Sequence, residues 1–271
     1  MTRRVPRLVG ALAVLISVIT LAMPSSPSSA GALVSEQKPT VVLVHGSFAD
    51  ASGWNGVIER LSRDGYPVLA PANPLRSLSG DAEYLASVLK TIPGPVVLVG
   101  HSYGGAVITN AAMQAPNVKA LVYVAAFALD KGETAFGTFA LVPGSQLPLA
   151  LKIRPYQASS DFGLDGYIDP DRFPEVFSAD LPAATAVAMA AAQRPSTVAS
   201  GVEPSGEPAW KTIPSWYMVA QQDRVIPPDA ERFMAKRAGA HTVEIDSSHV
   251  AMTSHPDAVT DLIRSAATGT R

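Results

Sequence analysis

The segment that most constrains this chain is Val96-Val97-Leu98-Val99-Gly100-His101-Ser102-Tyr103-Gly104-Gly105. Four consecutive apolar residues, three of them β-branched, read as a buried strand. The G-x-S-x-G pattern that follows runs directly into Tyr103–Gln114, whose apolar spacing is helical. A strand that passes straight into a helix needs a sharp turn, and glycines flanking the serine remove side chains that would collide there. The turn lifts the Ser102 hydroxyl above the sheet and aims the next backbone N–H at the same space. By chance the pattern would arise in roughly one chain of this length in ten. Its position between strand and helix is what gives it weight.

The rest of the chain repeats this rhythm. Candidate strands are Thr40–Val44, Tyr66–Ala70, Val96–Val99, Lys119–Ala125, Ser215–Ala220 and Thr242–Ile245. Helical patterns lie between them, at Trp54–Arg63, Ala82–Leu89, Tyr103–Gln114, Asp229–Ala238 and Asp257–Ala267. Apolar runs bounded by Gly and Pro and alternating with helices predict a doubly wound α/β domain. Its six-stranded, mainly parallel sheet is covered on both faces. A 271-residue chain that is 47% hydrophobic and 16% charged supplies the core such a sheet needs, and this composition excludes disorder.

One connection breaks the rhythm. From Phe127 to Thr212 no strand of this series occurs, and the stretch holds prolines, an aromatic cluster (Phe162, Tyr167, Phe173, Phe177) and an Ala-rich helical run, Ala183–Ala192. Long structureless loops are uncommon in compact domains, so the segment is expected to form a helical cap inserted over one end of the sheet. A disordered linker, the competing reading, would carry more charge and fewer aromatics. The expected organisation is therefore a core over 31–127 and 213–271, with the cap over 128–212. Phe162, Tyr167, Phe173, Phe177 and Met189 either line an apolar pocket or form the cap's own core.

Residues 1–30 are expected to be a signal peptide. Arg3, Arg4 and Arg7 form a basic start, Leu8 to Met23 is an almost unbroken apolar run, and Pro24 to Ala30 is small and polar. The apolar run is shorter than the ~20 residues that span a bilayer, so cleavage after Ala30 or Ala32, with no stable membrane anchor, is expected over a retained span. Removing residues 1–30 takes away three arginines and no acid. That leaves 18 basic and 23 acidic residues, a net charge of −5 over 241 residues. No run of basic residues offers a nucleic-acid footprint. The absence of cysteine excludes thiol catalysis, Cys-ligated zinc and disulfides, so an exported chain would be held by packing alone. No metal-ligand cluster or Gly-rich phosphate loop appears, and no cofactor is expected.

A serine hydroxyl is a weak nucleophile until a base takes its proton, so Ser102 calls for a histidine oriented by an acid. Of the five histidines, His45 and His101 lie within Gly motifs, where backbone geometry is their expected duty, and His241 opens a strand. His249 follows the last strand in Asp246-Ser247-Ser248-His249, and His255 precedes Pro256 at the start of the final helix. His249 is the expected base and His255 is read as structural. Asp223, just past the penultimate strand, is the expected acid. Its competing roles are a helix cap or a salt bridge to Arg224, and Asp246 is the alternative acid.

The order Ser102, Asp223, His249 follows the chain order of α/β-hydrolases. With Val41-Val42-Leu43-Val44-His45-Gly46-Ser47-Phe48, Trp54 and the closing segments around Asp223 and His249, the sequence resembles the lidded α/β-hydrolase superfamily. Within it, the likeness is to the small esterase and hydroxynitrile-lyase-like branch. The resemblance spans Thr40 to Ala267 and is weakest in the cap. It implies that the Ser47 and Tyr103 N–H groups form an oxyanion hole and that Ser102 excludes the carboxylate-dependent dehalogenases and epoxide hydrolases. It implies a secreted serine hydrolase acting on small to medium carboxylic esters. The alternatives are a non-catalytic ligand-binding protein of the same fold and a cofactor-free lyase or perhydrolase on the same site. Hydroxynitrile lyases carry a cap lysine near the site, and neither Lys152 nor Lys211 is assigned to that place by the sequence.

Overall fold

A computed structural model describes residues 38–158 and 161–269, and the predicted signal peptide at 1–30 lies outside them. The chain runs β1 (Thr40–Val44), α1 (Asn55–Arg63), β2 (Val68–Leu69), α2 (Leu78–Leu89), β3 (Val96–Ser102), α3 (Tyr103–Ala111) and β4 (Val118–Ala126). An inserted region follows with α4 (Ala135–Leu141), α5 (Leu147–Ala150), β5 (Leu151–Ala158), β6 (Asp161–Ile168), α6 (Phe173–Phe177), α7 (Ala183–Ala192), β7 (Ser196–Thr197) and α8 (Val198–Val202). The chain closes with β8 (Ser215–Ala220), α9 (Pro228–Arg237), β9 (His241–Ile245), α10 (Ala251–Ser254) and α11 (Pro256–Gly269).

Strands β2-β1-β3-β4-β8-β9 form one six-stranded sheet in which every pairing is parallel. This is the predicted α/β architecture. β3 is buried at every position, as a near-continuous apolar strand covered on both faces must be. Helix α3, packed with α2, and helix α11, packed with α1, both lie on β3 and β4. β1 and β8 match the expected ranges, β4 is one residue longer at each end, β9 starts one residue earlier, and β3 runs on to Ser102. β2 shrinks to two residues at the sheet edge, where only one neighbour offers hydrogen bonds. From β1 the chain moves outward to β2 and then crosses back to β3 on the other side of β1. The carboxyl ends of β1 and β3 therefore flank the point where strand order reverses, the place where open α/β sheets hold their ligands. The residues from Lys38 onward form one compact unit. Among the described residues no helix is long and apolar enough to cross a membrane.

The insertion corrects the expectation of a helical cap. Besides its helices it carries an antiparallel sheet ordered β5-β6-β7, with Leu151 opposite Ile168 and Gly166 opposite Ser196. Pro155, Gly163 and Gly166 interrupt the period-two pattern, and such residues read as strand breakers in a sequence. β5, whose side chains are mostly exposed, lies at the edge of this small sheet and tolerates Pro155.

Candidate active site

Ser102 ends β3 and precedes α3 with φ +53° and ψ −126°. Side chains rarely adopt this conformation, which costs of order 1–3 kcal/mol and persists only where the surroundings enforce it. The enforcement is steric. A Cβ on Gly100 would lie 2.6 Å from the Gly104 carbonyl oxygen, and one on Gly46 would lie 2.5 Å from the Ser102 Cβ and 3.1 Å from its Oγ. The β1 loop thus passes directly against the serine, and only glycine permits the approach. Tyr103 is the first residue of α3, so its N–H has no acceptor within the helix. Its phenol is fixed by a 2.9 Å bond to Asp81, which is buried.

Beyond β8 and β9 the chain ends stay tied together. The Gln221 N–H donates to Ile245 and the Gln222 N–H to Ser247, extending the Ala220–Ile245 pairing past both strands. This brings Asp223 beside His249, and Nδ1 of the histidine lies 2.5 Å from Asp223 Oδ2. Both side chains are fully buried. Asp223 Oδ1 accepts from the amides of Val225 (2.6 Å) and Ile226 (3.0 Å), so the carboxylate is held from both sides. His249 Nε2 is buried with no hydrogen-bond partner among the described residues. The alternative acid, Asp246, is exposed, and Arg224 pairs with Glu175 rather than with Asp223. His255 stands 3.8 Å from Asp180.

His101 joins the two halves of the site. Its Nε2 lies 2.9 Å from the His249 carbonyl oxygen, and the two rings are 4.7 Å apart. His45 accepts the Asn73 N–H at Nε2 (2.9 Å), which leaves Nδ1 to donate to the Gly46 carbonyl (2.9 Å) and pins the loop before Ser47. Burial holds both imidazoles below the usual histidine range, His101 well below. Their position within Gly motifs suggested only a backbone role for these two histidines; their rings lock neighbouring loops.

Three further residues support the site: Asp180 and Glu231, which the sequence did not single out, and Phe177, expected only as a pocket or cap-core residue. Asp180, from the insertion, receives the Ser248 amide (3.1 Å), the Ser247 hydroxyl (2.9 Å) and the Ser248 hydroxyl, gripping the residues just before His249. Phe177 stacks edge-on against the His249 ring at 5.0 Å. Glu231 of α9 is fully buried and accepts the Ala220 N–H (3.0 Å) at the end of β8. Burial, and then the neighbouring Asp223 carboxylate, push the Glu231 carboxyl well above its ordinary range. Asp180 follows its aromatic cluster by only a few residues, but nothing local in the sequence announces its long-range partners.

A cavity opens over Ser102 and Tyr103. Ser47, Ser196 and Ser200 line one side, and Phe127, Phe136, Phe139, Leu147, Leu151 and Ile153 supply its apolar walls. Of the two readings of the cap residues, the pocket does not hold, because none of Phe162, Tyr167, Phe173, Phe177 and Met189 lines this cavity. Phe173 and Phe177 are fully buried against each other, 4.8 Å between centroids, Phe162 is exposed, and Met189 lines a separate groove with Thr185 and Thr253. Lys152 and Lys211 pair with Asp169 and Asp130, and neither lines the cavity.

An open parallel sheet, a strained serine at the strand-order reversal and a buried His–Asp pair tied to His101, the residue before that serine, define the α/β-hydrolase class. The chain belongs to the alpha/beta hydrolase family, whose model matches residues 41–262. It is 27% identical over 254 residues to an alpha/beta hydrolase of Aspergillus novofumigatus, covering 85% of this chain and 97% of that one. It is 30% identical over 242 residues to a pyrethroid hydrolase of Sphingobium wenxiniae, covering 82% and 85%. Among solved structures, polyneuridine aldehyde esterase superposes with a TM-score of 0.73 at 21% identity, over 84% of this chain and 99% of that one.

Proposed function

We propose that this protein is an exported serine hydrolase that cleaves carboxylic esters of small to medium size through an acyl-enzyme. The observation that carries the reading is the buried His249, bonded through Nδ1 to Asp223 and left with a free Nε2, its ring 4.7 Å from that of His101, the residue before Ser102. A carboxylate only accepts, so the hydrogen of that bond sits on Nδ1 and Nε2 offers its lone pair as a base. His249 takes the Ser102 proton as Oγ attacks the ester carbon. The Ser47 and Tyr103 N–H groups stabilise the oxyanion, and His249 returns the proton to the departing alkoxide. Water, activated by the same imidazole, then releases the acid. The relatives named as hydrolases support ester cleavage. The surface pairing of Lys152 and Lys211 favours hydrolysis over lyase chemistry. Export rests on the leader read over residues 1–30.

Release of p-nitrophenol from short-chain p-nitrophenyl esters tests this reading. Wild-type turnover that falls by about 10⁴-fold or more in Ser102→Ala supports it. Unchanged turnover in the variant, or tight saturable binding with no turnover in the wild type, overturns it.

A further inference from the structure

One wall of the cavity is a chain of hydroxyls. Ser47 Oγ lies 2.9 Å from Ser196 Oγ, which lies 3.0 Å from Ser200 Oγ, and Ser200 donates to the Thr197 carbonyl at 2.7 Å. A carbonyl can only accept, so the single Ser200 hydrogen is committed at that end. The Tyr103 phenol beside Ser200 has given its own hydrogen to Asp81 and also only accepts there. Ser196 must therefore donate to Ser200, and Ser47 must donate to Ser196. Every hydrogen in the row points away from Ser47, whose oxygen is left with acceptor lone pairs and receives no hydrogen bond among the described residues.

The row is rigid. Ser196 and Thr197 form β7, Thr197 N–H donates to Leu75, and its hydroxyl donates to Arg76 at 2.5 Å. Ser47 itself is half-buried at the cavity edge beside Ser102. A serine's own amide and Oγ lie about one hydrogen-bond length apart. An ester whose carbonyl oxygen meets the Ser47 N–H thus places a substituent on the adjacent carbon beside Ser47 Oγ.

Building on the ester-hydrolase reading, we propose that Ser47 Oγ, set as an acceptor by the Ser47–Ser196–Ser200 chain, binds a hydroxyl on the carbon next to the scissile carbonyl. The favoured substrates are then 2-hydroxyacyl esters. The apolar walls take the remainder of the acyl chain.

The test compares ethyl butanoate with its 2-hydroxy and 2-fluoro derivatives. Fluorine withdraws electrons as oxygen does but donates no hydrogen bond. The expected result is a kcat/KM for the 2-hydroxy ester about tenfold above that for the 2-fluoro ester, the contrast one well-placed hydrogen bond gives. That ratio should collapse toward one in Ser47→Ala and fall in Ser196→Ala. A wild-type ratio near one, or a ratio that survives Ser47→Ala, overturns the proposal. Calorimetry on Ser102→Ala separates it from the catalytic reading. Tighter binding of the 2-hydroxy ester upholds the subsite even where no ester turns over, and equal affinities refute it.

Discussion

The His101 imidazole donates from Nε2 to the carbonyl oxygen of His249 across 2.9 Å, joining the residue before the elbow serine to the backbone of the proposed base. Donation to a carbonyl requires the Nε2–H tautomer, and His101 Nδ1 has no partner among the described residues. His101→Ala should leave the fold in place and lower kcat more than it raises KM. A loss of up to about 100-fold is expected, because small misplacement of a reacting group is costly. Steady-state kinetics alongside circular dichroism measure this; an unchanged kcat contradicts the positioning role.

The same burial makes stability depend on pH. His45 and His101 are both held below 6.5, chiefly by desolvation. Below that pH the unfolded chain takes up protons that the folded chain does not, so stability falls as pH drops. The slope is at most about 1.4 kcal/mol per pH unit for each histidine. Urea unfolding from about pH 8 to about pH 5 should show it, with a shallower slope in His101→Asn. Equal slopes in the two proteins count against this account.

Asp180 ties the insertion to the His249 loop. Burial alone would raise its pKa, but bonds from the Ser248 and Ser254 hydroxyls, the Ser248 amide and the Ser247 hydroxyl hold it below 3.8. Asp180→Ala should destabilise the fold by about 2 kcal/mol, the worth of hydrogen bonds to one charged group, and reduce kcat. Asp180→Asn should recover part of both, since its amide oxygen still accepts from the Ser248 amide. Because the folded pKa is depressed, this contribution is present above 3.8 and lost as pH falls through the folded value. Denaturation of the two variants at neutral and acid pH decides it.

Glu231 carries the opposite sign. Its folded carboxyl keeps its proton above 4.5, where the unfolded glutamate has lost its own, so stability declines as pH rises past that point. Glu231→Gln keeps an oxygen for the Ala220 amide and cannot ionise. Its stability relative to wild type should climb as pH is raised from about 5 to about 8. A difference that stays flat with pH would show that Glu231 does not titrate in this way.

The sheet was legible because buried parallel strands write themselves as apolar runs: β8 was placed over Ser215–Ala220 residue for residue. The elbow was legible because Gly100 and Gly104 are local to Ser102. The insertion was less so, since Pro155 and the glycines of β6 mask a ribbon held by pairing rather than by its own pattern. Asp180 and Glu231 left no trace because their partners, Ser248 and Ala220, are brought to them only by tertiary folding. The hydroxyl row was hidden for the same reason, as Ser47 and Ser196 meet only when β7 docks beside the β1 loop.

Mass spectrometry after treatment with a fluorophosphonate reads the Ser102–His249 nucleophile pair itself. One covalent adduct per chain is expected, on the peptide containing Ser102, absent in Ser102→Ala and strongly slowed in His249→Ala. An adduct on another residue, or labelling of Ser102 that proceeds equally fast without His249, would contradict it.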